Sequence, residues 1–146
     1  MKIITTSDSE TQKEGEKFAE KLKPMDVVFL IGDLGSGKTT FAKGLAKGLG
    51  IDSRVISPTF VVVRRHSIQA PKSDMTIHTL YHLDLYRLKN EKEVLSVDLK
   101  DYLDDQTGVT VIEWPEISQD IVGKKVWKVL FAIQKNESRE IEFKYE

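Results

Sequence analysis

One stretch limits what this chain can fold into: Gly32-Asp33-Leu34-Gly35-Ser36-Gly37-Lys38-Thr39-Thr40. It follows the apolar run Val27-Val28-Phe29-Leu30-Ile31 and opens a helical pattern through Phe41, Leu45, Ala46 and Leu49. Strand, glycine-rich loop and helix in that order, with the spacing G-x-x-x-x-G-K-[ST], form the signature of a phosphate-binding loop. Glycines let consecutive backbone N–H groups turn inward around phosphate oxygens, where a β-carbon would clash. The helix behind them aims unpaired donors and a positive dipole end at the same anion. Lys38 supplies a mobile positive charge for the β- and γ-phosphates, and Thr39 a hydroxyl for magnesium. The expected ligand is a nucleoside triphosphate, cradled by Asp33, Leu34, Gly35, Ser36, Gly37, Lys38, Thr39 and Thr40. An ordinary glycine-rich βα turn is the bland alternative, and the strand before and helix after weigh against it.

A length of 146 residues predicts one domain, long enough to bury roughly two-thirds of its unfolded surface. The chain has no cysteine, so disulfides, thiolate metal sites and cysteine nucleophiles are excluded together. A net charge of −1, with lysines and acids interspersed, argues against a protein that grips nucleic acid by itself. The start, Met1-Lys2-Ile3-Ile4, turns polar at once, which predicts neither signal peptide nor membrane span, and a place in the cytoplasm.

Around the loop, Lys2 to Thr6 reads as a first strand. Ser7 and Glu10 have capping-box spacing, which predicts a helix from Asp8 to Lys23, stopped by Pro24. Its apolar face is thin, mainly Phe18, Ala19 and Leu22, so the helix is expected on the outside. Val27 to Ile31 is apolar on both faces, as a central covered strand requires. Gly44 and Gly48 sit inside the following helix at about 1 kcal/mol each relative to alanine, and close packing on the sheet would account for them. Gly50 is the expected stop.

Pro58 biases Ser57 towards extended geometry, and Phe60-Val61-Val62-Val63 reads as a strand. A turn over Gln69 to Asp74 leads to a strand ending at Asp84. Leu95, Leu99 and Leu103 predict one or two short helices within Glu91 to Leu103. Val109 to Glu113 is another buried strand. The alternating runs Trp127–Ile133 and Ile141–Tyr145, joined by Lys135-Asn136-Glu137-Ser138, predict an antiparallel C-terminal hairpin.

Magnesium at such a loop needs a second anchor, normally an acid at the end of a neighbouring strand. Asp84 and Glu113 both have that position, and parallel strands present their C-terminal ends on the phosphate side. One is expected at the metal or its water, the other at the attacking water or the γ-phosphate. His82 and Asp84 lie two apart on one strand face and could form a polar pair. His78 and His82 lack the helical spacing of a zinc site. Arg87 closely follows the strand end and could reach a phosphate or a partner's acid, or simply be solvated.

Taken together, the loop, Ser57-Pro58-Thr59-Phe60, His82-Leu83-Asp84-Leu85-Tyr86-Arg87-Leu88 and Ile112-Glu113-Trp114-Pro115 resemble the TsaE (YjeE) family. These are bacterial ATPases of tRNA threonylcarbamoyladenosine biosynthesis, and the resemblance covers nearly the whole chain. It implies an α/β, three-layer P-loop NTPase fold with a mixed, mainly parallel sheet. It implies ATP and Mg2+ as ligands, with Thr39 and Glu113 holding the metal and Asp84 and Lys38 acting at the γ-phosphate. It places Asp8 to Thr11 near the adenine, Ser57 and Thr59 in a first switch, and Tyr86 and Arg87 in a second at the partner surface, with Trp114 beside Glu113. The implied partners are the TsaD–TsaB pair, which this protein would reset between turnovers, with tRNA met only through them and no membrane involved. Two departures stand out: no glycine around Ser96-Val97-Asp98, and a longer loop from Arg64 to Thr79.

Other functions remain in competition. A small-molecule kinase uses the same cradle, but usually closes an arginine-bearing lid over it; Arg54, Arg64, Arg65, Arg87 and Arg139 form no such cluster. A GTPase is disfavoured because the chain lacks Asn-Lys-x-Asp, and neither Asp105 to Gly108 nor Asp120 to Gly123, which spell D-x-x-G, follows an apolar strand. A sensor that binds nucleotide without turnover is the third reading.

Overall fold

The apolar residues Val27–Ile31 form strand β2, with Val28 and Leu30 packed in one buried cluster and Val27 and Phe29 in another on the opposite face. The computed structural model describes residues 1–52, 63–68, 76–86, 92 and 99–146, apart from the side chains of Ile117 and Ile121. Within them β1 (Lys2–Thr5), β2, β3 (Val63–Ser67), β4 (Thr79–Asp84), β5 (Gly108–Glu113), β6 (Trp127–Ile133) and β7 (Arg139–Tyr145) build one sheet. Its order is β1-β7-β6-β2-β5-β4-β3. The central strands β6, β2, β5 and β4 are parallel, while β6–β7, β7–β1 and β4–β3 pair antiparallel. This is the expected mixed sheet, and the C-terminal hairpin is built into it through β6. Helices α1 (Asp8–Ala19) and α2 (Lys38–Gly48) cover one face, and α3 (Leu99–Leu103) and α4 (Gln119–Val122) the other. Among the described residues, no helix is long and apolar enough to cross a membrane.

Helix α1 starts where expected. Ser7 Oγ accepts from Glu10 N–H at 3.1 Å, and Glu10 Oε2 reaches back to Thr6 N–H at 2.6 Å, one residue before the usual capping-box donor. These bonds from Thr6 hold the Glu10 carboxyl below its ordinary range. The helix ends at Ala19, short of the expected Lys23, and the chain reaches Leu22 through tighter turns closed on Phe18 and Ala19. Nor is it merely an outer helix. Thr11, Gly15, Phe18, Ala19 and Leu22 form its buried stripe. That stripe reads as thin because two of its members are threonine and glycine, yet Phe18 stacks among Phe41, Trp127 and Phe143.

Gly44 and Gly48 therefore have a different reason from close packing on the sheet: they let α1 approach α2. A β-carbon on Gly44 would fall on the carbonyl oxygen of Gln12. One on Gly48 would lie 2.7 Å from both the Ala19 β-carbon and the Glu16 carbonyl oxygen. Gly50 (φ 93°) does end α2, with Ile51 N–H bonded to Ala46 O at 2.9 Å and Gly50 N–H to Lys47 O at 3.0 Å, a Schellman closure.

Of the strand expected at Phe60–Val63, Val63 is described and does lie in a strand. Strand β3 is Val63–Ser67, mostly polar, and takes in the first part of what read as a long loop from Arg64. An edge strand with one neighbour needs no apolar run: only its inward positions, such as His66, are buried. Residues 60–62, the turn over 69–74, Leu95 and the Ser96–Asp98 departure lie outside the described residues; of the predicted 91–103 helices, Leu99–Leu103 is seen. Asp105 holds the entry to β5 by accepting from Tyr81 Oη at 2.6 Å and Thr107 N–H at 3.0 Å. Burial, with this bond to Asp105, pushes Tyr81 up to about 12.

Helix propensity alone predicts that Gly44→Ala stabilises α2 by about 1 kcal/mol. The contact with Gln12 reverses that sign: the expected outcome is a net loss of about 1–3 kcal/mol, read as a lower urea midpoint at unchanged slope.

Candidate functional site

Strand β2 delivers the glycine-rich loop at its C-terminal end, and two glycines give the loop its shape, Gly35 at φ 76° and Gly37 at φ 106°. Gly37 is also the N-cap of α2 and carries no side chain to cap it, whereas Ser7 caps α1. The first-turn donors of α2 thus meet no capping side chain, the arrangement that receives an anion. Asp33, Leu34 and Gly35 are exposed, Thr39 and Thr40 half-buried, and Ser36 and Lys38 buried. The Ser36 hydroxyl has no hydrogen-bond partner among the described residues.

Lys38 is 5% exposed and folded onto its own loop, donating from Nζ to Gly32 O at 2.6 Å. Its other face is Trp114, whose ring centroid lies 3.5 Å from Nζ, a cation–π contact. Burial lowers the lysine's proton affinity, while Glu113, Glu116, Asp84 and Asp33 pull it back up. Trp114 reaches Lys38 because its backbone is left-handed, φ 59° and ψ 58°, between Glu113 and Pro115. The same ring packs on Tyr86 at 4.9 Å, and Tyr86 is 55% exposed.

Register brings the two acids together. In the parallel ladder of β4 and β5, Asp84 is the partner of Glu113, and in that of β2 and β5, Leu30 is. Glu113 is buried and divides its oxygens: Oε1 accepts from Thr39 Oγ1 at 3.4 Å, and Oε2 lies 2.7 Å from His82 Nε2. The expected His82–Asp84 pair is therefore replaced by His82–Glu113, because the carboxylate on the adjacent strand lies within reach of the ring. Asp84 Oδ1 instead accepts from Tyr86 N–H at 3.0 Å. His66, beyond His82 on β3, is buried with its Nε2 unpartnered among the described residues, and burial, His82 and Arg64 keep its pKa low.

The start of α1 stands on the other side of the loop. Thr11 is buried, with its Oγ1 2.7 Å from Thr5 Oγ1, and its methyl would lie 3.6 Å from a β-carbon on Gly37. Asp8 lines a cavity of about 600 Å³ with Thr6, Ser7, Ile133, Asn136, Glu137 and Arg139. Arg139 passes 3.7 Å from the same Gly37 position, and its Nε is buried without a partner among the described residues. No motif in the sequence marks Arg139; only its place after the hairpin turn brings it here. Ser57, Thr59 and Arg87 lie outside the described residues.

The donor set suits a hard cation. A hydroxyl and a carboxylate oxygen 3.4 Å apart, with Asp84 on the adjacent strand end, are the oxygen ligands magnesium takes beside phosphates. The uncapped α2 start, the Ser36 hydroxyl without a partner among the described residues, and a buried ammonium group resting on a carbonyl and a ring suit a phosphate chain.

Fold and loop define an α/β protein with one mixed seven-stranded sheet and a glycine-rich loop between β2 and α2. The family model described as "Threonylcarbamoyl adenosine biosynthesis protein TsaE" matches residues 5–141. The tRNA threonylcarbamoyladenosine biosynthesis protein TsaE of Bacillus subtilis is 36% identical over 143 residues, 98% of this chain and 84% of the relative. Its namesake in Rickettsia bellii is 35% identical over 138 residues, 93% and 89% of the two chains. The crystal structure of Bacillus subtilis YdiB superposes with a TM-score of 0.77 at 31% identity, covering 98% of this chain and 83% of that one. The chain belongs to the TsaE family, whose role is in tRNA threonylcarbamoyladenosine biosynthesis.

Lys38→Met removes the ammonium group from the indole face while keeping a long side chain. With Trp127→Phe as background, so that Trp114 is the only tryptophan, the nucleotide-free emission spectrum is expected to change. An identical spectrum would show that Nζ does not rest on the ring.

Proposed function

We propose that this protein is an ATP- and magnesium-dependent switch in tRNA threonylcarbamoyladenosine biosynthesis, with low hydrolysis alone and full activity beside the TsaD–TsaB pair. One observation carries the reading: Lys38, Thr39, Glu113 and Asp84 converge where β2, β5 and β4 end on the α2 side. The first-turn amides of α2 receive phosphate oxygens, and Lys38 exchanges Gly32 O and Trp114 for the β- and γ-phosphates. Thr39 Oγ1 and Glu113 Oε1 hold magnesium, which supplies positive charge to the phosphate oxygens. Asp84 accepts a hydrogen bond from the attacking water and either orients it or takes its proton. The cavity beside Asp8, with Arg139 along its wall, receives the nucleoside end. Trp114 and the exposed Tyr86 carry the state of the site towards the partners, and Ser57, Thr59 and Arg87 belong to the same switch segments. A net charge of −1 leaves contact with tRNA to those partners. The compartment of the work is the cytoplasm.

Phosphate release is expected to rise when TsaD and TsaB are added, and the three proteins to associate in an ATP-dependent way; no association with ATP present would defeat the proposal. Glu113→Ala and Asp84→Ala should each lower hydrolysis by about 10²–10⁴-fold. Unchanged hydrolysis with lost partner binding would favour a sensor instead. A phosphorylated metabolite in place of free phosphate would favour a kinase. Trp114 emission is expected to respond to nucleotide with magnesium, and silence at saturation would remove Glu113 from the metal.

A further inference from the structure

We propose that His82 is a positioning residue, which clamps one oxygen of Glu113 so that the other faces Thr39 and the magnesium site. The proposal deepens the functional reading above and rests on it.

Glu113 is 5% exposed at the end of β5. Left to itself, the group could rotate about its last bond and offer either oxygen to the metal space. The structure removes that freedom. Oε2 is held by His82 Nε2 at 2.7 Å, a short contact in which both side chains are buried, 9% and 6% exposed. Oε1 faces Thr39 Oγ1 at 3.4 Å. An ionised carboxylate only accepts, so the tautomer that fits this contact carries its proton on Nε2.

The imidazole is itself fixed by the sheet. His82 sits in the middle of β4, paired with Val111 on β5 and Arg64 on β3, so its backbone is restrained on both sides. Leu80, on the same face, is fully buried in the cluster that holds Phe41, Leu45 and Leu49 of α2 and its end. A buried imidazole whose donor meets the far oxygen of a ligating carboxylate is an outer-shell contact, and loss of one typically costs 10–100-fold in metal affinity. His82 touches neither phosphate nor reacting atoms; it acts through Glu113.

ADP binding by calorimetry, with excess magnesium and with a chelator, separates the metal-dependent part of affinity from the rest. His82→Phe, which fills the ring volume without a donor, should weaken magnesium-dependent ADP binding by about 10–100-fold and leave chelator-phase binding unchanged. His82→Gln, which returns an N–H near the Nε2 position, should recover most of the loss. Equal loss in both phases would assign His82 a structural role and overturn the proposal, as would no loss in either, or a Gln variant no better than Phe. In wild-type protein with labelled histidine, the Nε2 proton should be slow to exchange without nucleotide and should shift when magnesium and ADP are added. A rapidly exchanging or absent Nε2 proton overturns the clamp even if His82→Phe fails to fold. Failure of the wild type to take up ADP in either phase overturns the functional reading itself, whereas normal wild-type uptake with an indifferent His82→Phe overturns only the clamp.

Discussion

The parallel register at Glu113 is the constraint on which the site depends. Its neighbours are Leu30 at the end of the loop-bearing strand and Asp84 at the end of the other. Parallel strands end level with one another, so fixing two ladders places the loop and both acids within one cleft. Polarity enforces the register. A slip of one residue would turn Glu113 to the opposite face, among Phe29, Leu83, Leu99 and Val122. A carboxylate there would have lost His82 and Thr39, and an unpaired buried charge is among the most unfavourable errors a core can contain. The pairing that gathers Glu113, Asp84 and Thr39 therefore also selects the correct sheet.

The helix pair behind the loop supplies rigidity from a second direction. Gly15, Gly44 and Gly48 allow α1 and α2 to meet backbone to backbone, and Phe18, Phe41 and Phe143 fill the space beneath. Thr11 ties α1 to β1 through Thr5 and brings its methyl to the loop at Gly37. A ion pair at 3.3 Å between Glu16 and Lys47 spans the same helices at the surface, where such pairs add at most about 1 kcal/mol. Backbone proximity rather than surface charge holds the loop's rear wall.

Much of this was legible in the residues. The loop, its strand and helix, the Ser7 cap, the Gly50 stop, the β6–β7 hairpin and the strand-end acids follow from local pattern, because each depends on neighbours in sequence. What pattern could not supply was anything decided across strands. His82 and Asp84 share a face, so they suggested a pair; the ladder of β4 on β5 offers His82 a carboxylate from another strand instead. Gly44 pointed to close packing, but the partner that needs the room, Gln12, lies on α1 and carries no signal of it. The described part of β3, Val63–Ser67, is mostly polar because an edge strand need not bury both its faces. Arg139 acquires a place beside Gly37 only once β7 is laid against β6 and β1.

Trp114 joins these pieces through its contacts with Lys38 and Tyr86. A left-handed bulky residue costs about 1–3 kcal/mol, and persists only where its surroundings over-determine it. Here β5 fixes the residue before it, and Pro115, at the first position of the 3₁₀ turn Pro115–Ser118, fixes the residue after. The strained turn throws the indole back over Lys38 and against Tyr86. Lys38 is already desolvated in that position, so exchanging a neutral carbonyl and a ring face for a polyanion adds attraction with little new desolvation. Without that cation the ring would keep its contacts with the half-exposed Tyr86 and with the buried cluster of Val27, Phe29 and Leu83. A change at Lys38 would thus be felt, through Trp114, by the exposed side chain of Tyr86.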